Sequence, residues 1–255
     1  MASLPAFEKL KIEAFTMVMS YAPREDFAAS RQELIDCVRR ETITVLRSAG
    51  KPGTVDARVD DDGDIVFKYE HSSFHFLLSV GSGLAGAQFK DLYDHRLAVE
   101  LLKPFYAQVV QTLNLQDVDV FTIDFKNIFD LARSAPKNYE VLQAAVMPTM
   151  ADALAPLFVR DSVPARLDFK VGWDYDDRHT CYFNVECPGN DENTTVWTTL
   201  NLRTRDDIMV SVDQAQLADD IDQCYRVYCG PYAETVKKTL NGLELNLAKR
   251  RLTQE

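Results

Sequence analysis

Hydrophobic positions along the chain hold one period for a stretch and then change it, and each change marks the edge of an element. In KIEAFTMVMSY, residues 11–21, Ile12, Ala14, Thr16 and Val18 alternate with Lys11, Glu13, Phe15 and Met17, which predicts a strand. Phe27, Leu34, Val38 and Val45 then fall near helical spacing, acidic residues come early, and Gly50 stands where a C-terminal cap belongs, so a long amphipathic helix follows. Period two returns after it. Val55, Ala57 and Val59 share one face, Ile65, Phe67 and Tyr69 do the same across an Asp62-Gly63 pair suited to a tight hairpin, and Phe74, Phe76, Leu78 and Val80 point inward from a third strand. GSGLAGAQFKDLYD, residues 81–94, reads as a flexible loop, and a helix from about His95 to Leu113 is apolar at Leu97, Leu101, Phe105, Val109 and Leu113.

The same order returns downstream. VDVFTIDFKNIF (118–129) predicts a strand, NYEVLQAAVMPTMADALAPLF (138–158) a helix, and ARLDFKVGWDY (165–175) a strand with Leu167, Phe169, Val171 and Trp173 on one face. TCYFNVEC, TTVWTTLNLRTR and DDIMVSV supply further strands, with turns at Asp176-Asp177 and Pro188-Gly189. A closing helix over residues 214–241 is apolar at Leu217, Ile221, Cys224, Tyr228, Val236 and Leu240. Two segments even share residues: KPFYAQVVQTLN at 103–114 and GPYAETVKKTLN at 230–241 agree at Pro, Val, Thr, Leu and Asn. The first strand of each half also carries a Phe-Thr pair, Phe15-Thr16 and Phe121-Thr122. The expectation is an α+β fold of two pseudo-repeated β-α-β-β-β(-β)-α units, residues 1–115 and 116–255, forming one curved antiparallel sheet with long helices packed on one face. Pro104 and Pro231 each remove a helical hydrogen bond, so each should kink its helix or begin a new segment.

This order resembles the duplicated saddle of the TATA-binding-protein fold in topology. Together with the DVFTIDFKNIF strand after the mid-chain helix, it is also similar to a sporadically distributed family of uncharacterised bacterial proteins. The resemblance implies an architecture and supplies no catalytic residues.

Composition narrows the function classes. At 255 residues the chain can bury most of its surface without a metal or disulfide staple, and a net charge of −11 repels nucleic acid and anionic lipid on average. Five cysteines, an odd number without a C-x-x-C pair, fit buried thiols in a reducing compartment. With no signal-peptide pattern and no apolar run of spanning length, the expectation is a cytoplasmic chain without a membrane partner.

Candidate chemistry is sparse. Gly81, Gly83 and Gly86 match G-x-G-x-x-G in letter, but the preceding strand belongs to a meander and not to a parallel βαβ unit. The DARVDDDGDIVF stretch fails as a calcium loop, because the register puts Arg58 and Tyr69 at the anchoring carboxylate positions. His71 and His75 fit one strand face, and His179 with Cys181 and Cys187 forms a looser group, but neither has a metal-ligand spacing. Asp219 and Asp220 read as a solvated helix face. No catalytic residue, metal or cofactor is therefore predicted, and the leaning is away from an enzyme.

One surface feature carries more. Alternation over residues 194–205 places Val196, Thr198, Leu200 and Leu202 inward and Trp197, Thr199, Asn201, Arg203 and Arg205 outward, a composition enriched at binding hot spots. Those five are the predicted binding residues, with the basic Lys249, Arg250 and Arg251 of the tail as a second candidate. Lysines and arginines on the strands alternate with Asp56, Glu70, Asp168 and Asp174, which again disfavours nucleic acid. The functional expectation is a non-catalytic binding protein, an adaptor, immunity or accessory factor in bacterial defence or conflict, whose partner is another protein; self-association is compatible with it. The alternative is an enzyme or small-ligand binder with a pocket between sheet and helices lined by Tyr69, Trp173 or His75.

Overall fold

A computed structural model describes residues 12–72, 74–92, 95–130, 167–187, 195–205, 210–211 and 214–232, together with Glu234 and Lys238. The predicted helix over 138–158 and the basic tail lie outside these residues.

Eleven strands and three α-helices are described. The first part holds β1 (Ile12–Ser20), α1 (Phe27–Ser48), β2 (Asp56–Val59), β3 (Ile65–His71), β4 (Phe74–Val80), β5 (Leu84–Leu92) and α2 (His95–Thr112). The second holds β6 (Asp117–Val118), β7 (Val120–Asp130), β8 (Leu167–Asp174), β9 (His179–Cys187), β10 (Thr195–Thr204), β11 (Val210–Ser211) and α3 (Gln214–Val227), which runs into a π-helical turn over Tyr228–Tyr232. Nine strands form one antiparallel sheet in the order β2-β3-β4-β5-β1-β7-β10-β9-β8, while β6 and β11 make a separate two-stranded pair. The chain is thus α+β with a large antiparallel sheet, and no helix among the described residues is long and apolar enough to cross a membrane.

One strand expectation needs correction. Residues 84–92 are not a loop but β5, which sits between β4 and β1 near the middle of the sheet. Its inward residues Ala85, Ala87 and Phe89 are buried, but two small alanines and Gly86 between them give a weak strand signal. Gly81 and Gly83 lie in the turn of the β4–β5 hairpin, where Gly81 N–H donates to Leu84 O at 2.8 Å. Of DDIMVSV, residues 206–212, the described Val210–Ser211 form a strand, and the others lie outside the described residues.

The inward side chains line up in rows. Register places Tyr69, Phe76, Phe89, Phe15 and Phe125 side by side on five successive strands, continued by Leu200, Phe183 and Val171. Rings stack along it, with centroids 5.3 Å apart for Tyr69 and Phe76, 5.7 Å for Phe89 and Phe15, and 4.6 Å for Phe15 and Phe125. Such pairs add to the burial of the rings themselves. Leu34, Val38 and Leu46 of α1 and Leu101, Phe105 and Val109 of α2 join the same core, and the Tyr106 hydroxyl donates to Met17 O at 2.7 Å inside it. Burial raises the Tyr106 pKa well above the ordinary phenol value, so the hydroxyl stays a donor.

Helix ends follow their sequence signals. Gly50 takes φ +69° after α1, where Lys51 N–H reaches back to Leu46 O at 2.9 Å. Asn114 does the same after α2 at φ 47°, with Leu115 N–H on Val110 O at 3.0 Å. Asn114 is therefore a left-handed helix stop, a conformation that Asn tolerates better than most residues. Pro104 lies inside α2, whereas the approach to Pro231 opens into the π-turn, the wider winding that absorbs a missing hydrogen bond.

Candidate functional site

On β10 the predicted alternation holds wherever side chains are described. Thr198, Leu200 and Leu202 are buried, while Trp197, Thr199, Asn201 and Arg203, with Arg205 just past the strand, are half-buried on the opposite face. Register sets Asp124 and Lys126 of β7 and Tyr182 and Asn184 of β9 on that face beside them, with Lys170 and Asp174 of β8 beyond.

The two aromatics there are not bare. Lys126 Nζ sits 3.6 Å from the Trp197 ring centroid, and Lys170 Nζ 4.5 Å from that of Tyr182. A cation on an aromatic face holds both side chains in a fixed orientation and lowers the entropy lost when a partner settles on them. Tyr182 lies flat across β8 because residue 172 is glycine: a Cβ there would stand 2.6 Å from Tyr182 Cε1. Between the two pairs Asn201 Nδ2 donates to Asp124 Oδ1 at 2.6 Å, straight across the β7–β10 register. Burial raises the Asp124 carboxyl pKa above the usual range, only partly opposed by the Asn201 hydrogen bond and the charge of Lys170. Arg205 approaches Asp174 at 3.9 Å.

Lys126, Asp124 and Tyr182 were missed by sequence reasoning, which placed Lys170 among the outward strand cations without joining it to this site. Alternation gives the face of each residue within its own strand, but only the register between strands says which residues are neighbours.

A second polar cluster closes the β8–β9 turn. Asp176 accepts from the backbone N–H of Arg178 and His179 at 2.8 and 2.7 Å, and from His179 Nδ1 at 2.9 Å. Burial opposes ionisation of Asp176, but these hydrogen bonds outweigh it and hold the carboxyl below its ordinary range. Asp220, expected on a solvated helix face, is instead 9% exposed, taking Gln216 Nε2 at 3.0 Å and Arg178 at 3.3 Å. The buried His179 has the orienting carboxylate of a general base, yet Cys181, beside it on the same strand face, is a thiol pushed by burial up to about 12. Such a thiol is no nucleophile at neutral pH.

The other histidines scatter. His71 and His75 lie on opposite faces of neighbouring strands, correcting the shared face expected of them, and His95 on α2 hydrogen-bonds to Tyr225 of α3 at 2.7 Å. Among the described residues no three His, Cys, Asp or Glu side chains are placed to hold a metal ion. Tyr69, His75 and Trp173 do not meet: Tyr69 is buried in the aromatic row, His75 is on the outer face, and Trp173 is at the far end of the sheet. No protein-family pattern matches the chain, and no curated protein matches it either.

Proposed function

We propose that this chain is a non-catalytic protein-binding module, an adaptor, immunity or accessory factor, that holds its partner on the outer face of β7, β10, β9 and β8. The observation that carries this reading is the pair of lysine-backed aromatics, Trp197 with Lys126 and Tyr182 with Lys170, on one face of the sheet. Rigid aromatics bordered by arginine are the residue types that dominate binding energy when a partner covers them. Lysines and arginines there alternate with Asp124, Asp174 and Glu186, a mixture that suits a protein surface better than a polyphosphate chain. Free thiols at Cys37, Cys181 and Cys229 support a reducing, cytoplasmic setting.

The architecture behind that face is, in this reading, a duplication. Each half folds its first strand back against the last strand of its own meander, β1 on β5 and β7 on β10, and the halves meet through β1 and β7. The shift that superposes Phe15-Thr16 on Phe121-Thr122 also superposes Met17 on Ile123, and these two residues face each other in the register. A two-fold axis of the pseudo-repeat would run between them. Kinship with the bacterial family named above rests on the same order of elements.

The test is capture from the native host with the intact chain, Trp197→Ala, and Leu77→Ala on the other half of the outer face as control. A stoichiometric protein retained by the intact chain and Leu77→Ala, and lost with Trp197→Ala, supports the assignment. Nucleic acid in the eluate, read at 260 nm, or equal recovery on all three would overturn it.

A further inference from the structure

The nine-stranded sheet has two edges of very different character. The β2 edge is four residues long, carries Asp56 and Arg58, and follows Pro52, which are ordinary devices against edge pairing. The β8 edge, Leu167–Asp174, is twice that length, and no described strand pairs with its outer side. It presents large apolar groups at that edge, with Val171 39% and Trp173 43% exposed. An open strand of this kind is a template for one more strand.

We propose that the strand added to β8 is β8 of a second copy, running antiparallel, so that the protein is a two-fold dimer with one sheet continuous through both chains. The sequence of the edge selects the register. Centring the axis on Gly172 sets Lys170 opposite Asp174 of the second copy and Val171 opposite Trp173, and symmetry makes each of these contacts twice. A shift either way loses this match: an axis on Val171 opposes Asp168 to Asp174, two like charges, and an axis on Trp173 sets Lys170 past the end of the second copy's β8. Lys170 and Asp174 are both exposed, so the cross-strand ion pairs need no buried charge. Because β8 meets β8, the contact closes at two copies and leaves only the short, charged β2 edges at the ends, which stops the sheet from growing into a fibre.

Charge reversal tests both the interface and its register. The full chain should sediment at twice 28.9 kDa. In this register Lys170→Asp sets two acidic side chains opposite each other and Asp174→Lys sets two lysines opposite each other, so each variant alone should show a dissociation constant raised on the order of tenfold or more. An equimolar mixture of the two should recover the dimer, because each acidic position then faces a lysine; that recovery also shows that both variants are folded. A wild-type mass of 28.9 kDa at every concentration would overturn the proposal, and hydrogen exchange would then say whether the β8 amides are protected by the chain's own residues. A dimer indifferent to the reversals, or a stoichiometric complex with a different protein at β8, would overturn it equally.

Discussion

One row of inward side chains crosses the whole sheet, and its two ends differ. At the β3 end Tyr69 is 2% exposed, while at the β8 end Val171 is 39% exposed. The strands are alike in length and alternation, so the difference comes from what lies beside them. At the first end β2 flanks β3, the Tyr69 hydroxyl donates to Lys51 O at 3.0 Å, and the backbone of Gly53 presses on the ring, where a Cβ would stand 2.7 Å from Cε2. A pleated apolar face is therefore only a candidate core; neighbouring chain segments decide whether it becomes one or stays available.

Substitution along the row should reproduce this gradient. Phe15→Ala removes a ring that stacks on both neighbours at 1% exposure and should cost about 3–5 kcal/mol in denaturant unfolding, through lost transfer energy and a residual cavity. Val171→Ala, on the same row, should cost under about 0.5 kcal/mol when measured at low protein concentration in the Lys170→Asp background, where self-association is weakened. Equal costs would mean that the open end is as firmly packed as the sealed one.

Two glycines sharpen the contrast, because each meets a tyrosine ring at nearly the same distance. Gly53→Ala drives a methyl into Tyr69, which is buried and pinned by its hydroxyl, and should destabilise by about 1–3 kcal/mol. Gly172→Ala meets Tyr182 at 2.6 Å, but that ring is half-buried and braced only by the exposed Lys170, so ring and lysine can shift together toward solvent. Its clash should be relieved to within about 0.5 kcal/mol of the wild type, with the better strand propensity of alanine offsetting part of it. Comparing the two melting curves isolates how much the surroundings, and not the contact distance, set the cost.

Much of this was legible in the sequence, for physical reasons that also mark where legibility stopped. Strong periodicity with large side chains gave α1, α2, β3, β4 and the faces of β10, since burial of Phe67 or Leu200 imposes its own period. β5 escaped because Ala85, Gly86 and Ala87 are too small to signal burial, although the centre of a sheet is where small residues fit closely packed neighbours. Strand order escaped as well: nothing local says that β5 returns to β1, or that Trp197 finds Lys126 on a strand far away in the chain. The proposed binding face was therefore visible as a list of five residues, and its chemistry emerged only when register set Lys126, Asp124 and Tyr182 beside them.

The smallest effect expected is electrostatic, and it separates two carboxylates in the second half. Burial raises the pKa of Asp124 in the fold, so the folded state binds its proton more readily than the unfolded chain does. Its contribution to stability is then lost as pH rises from the ordinary carboxylate range, about 4, through the raised value. Asp176 is lowered, and its contribution is present above the ordinary value and lost as pH falls through the folded one. Asp124→Asn keeps an acceptor for Asn201 and removes the titration, so the variant should be more stable than wild type at pH 7, with the gain shrinking as pH approaches 4. Asp176→Asn should show the reverse: a loss at neutral pH, modest because that side chain is 41% exposed, which fades in acid. Thermal melts of the two variants across this pH range should therefore diverge from wild type in opposite directions at neutral pH and converge in acid; parallel shifts would mean that the Asp124 carboxylate is already well solvated on the open face and that burial there does not govern its charge.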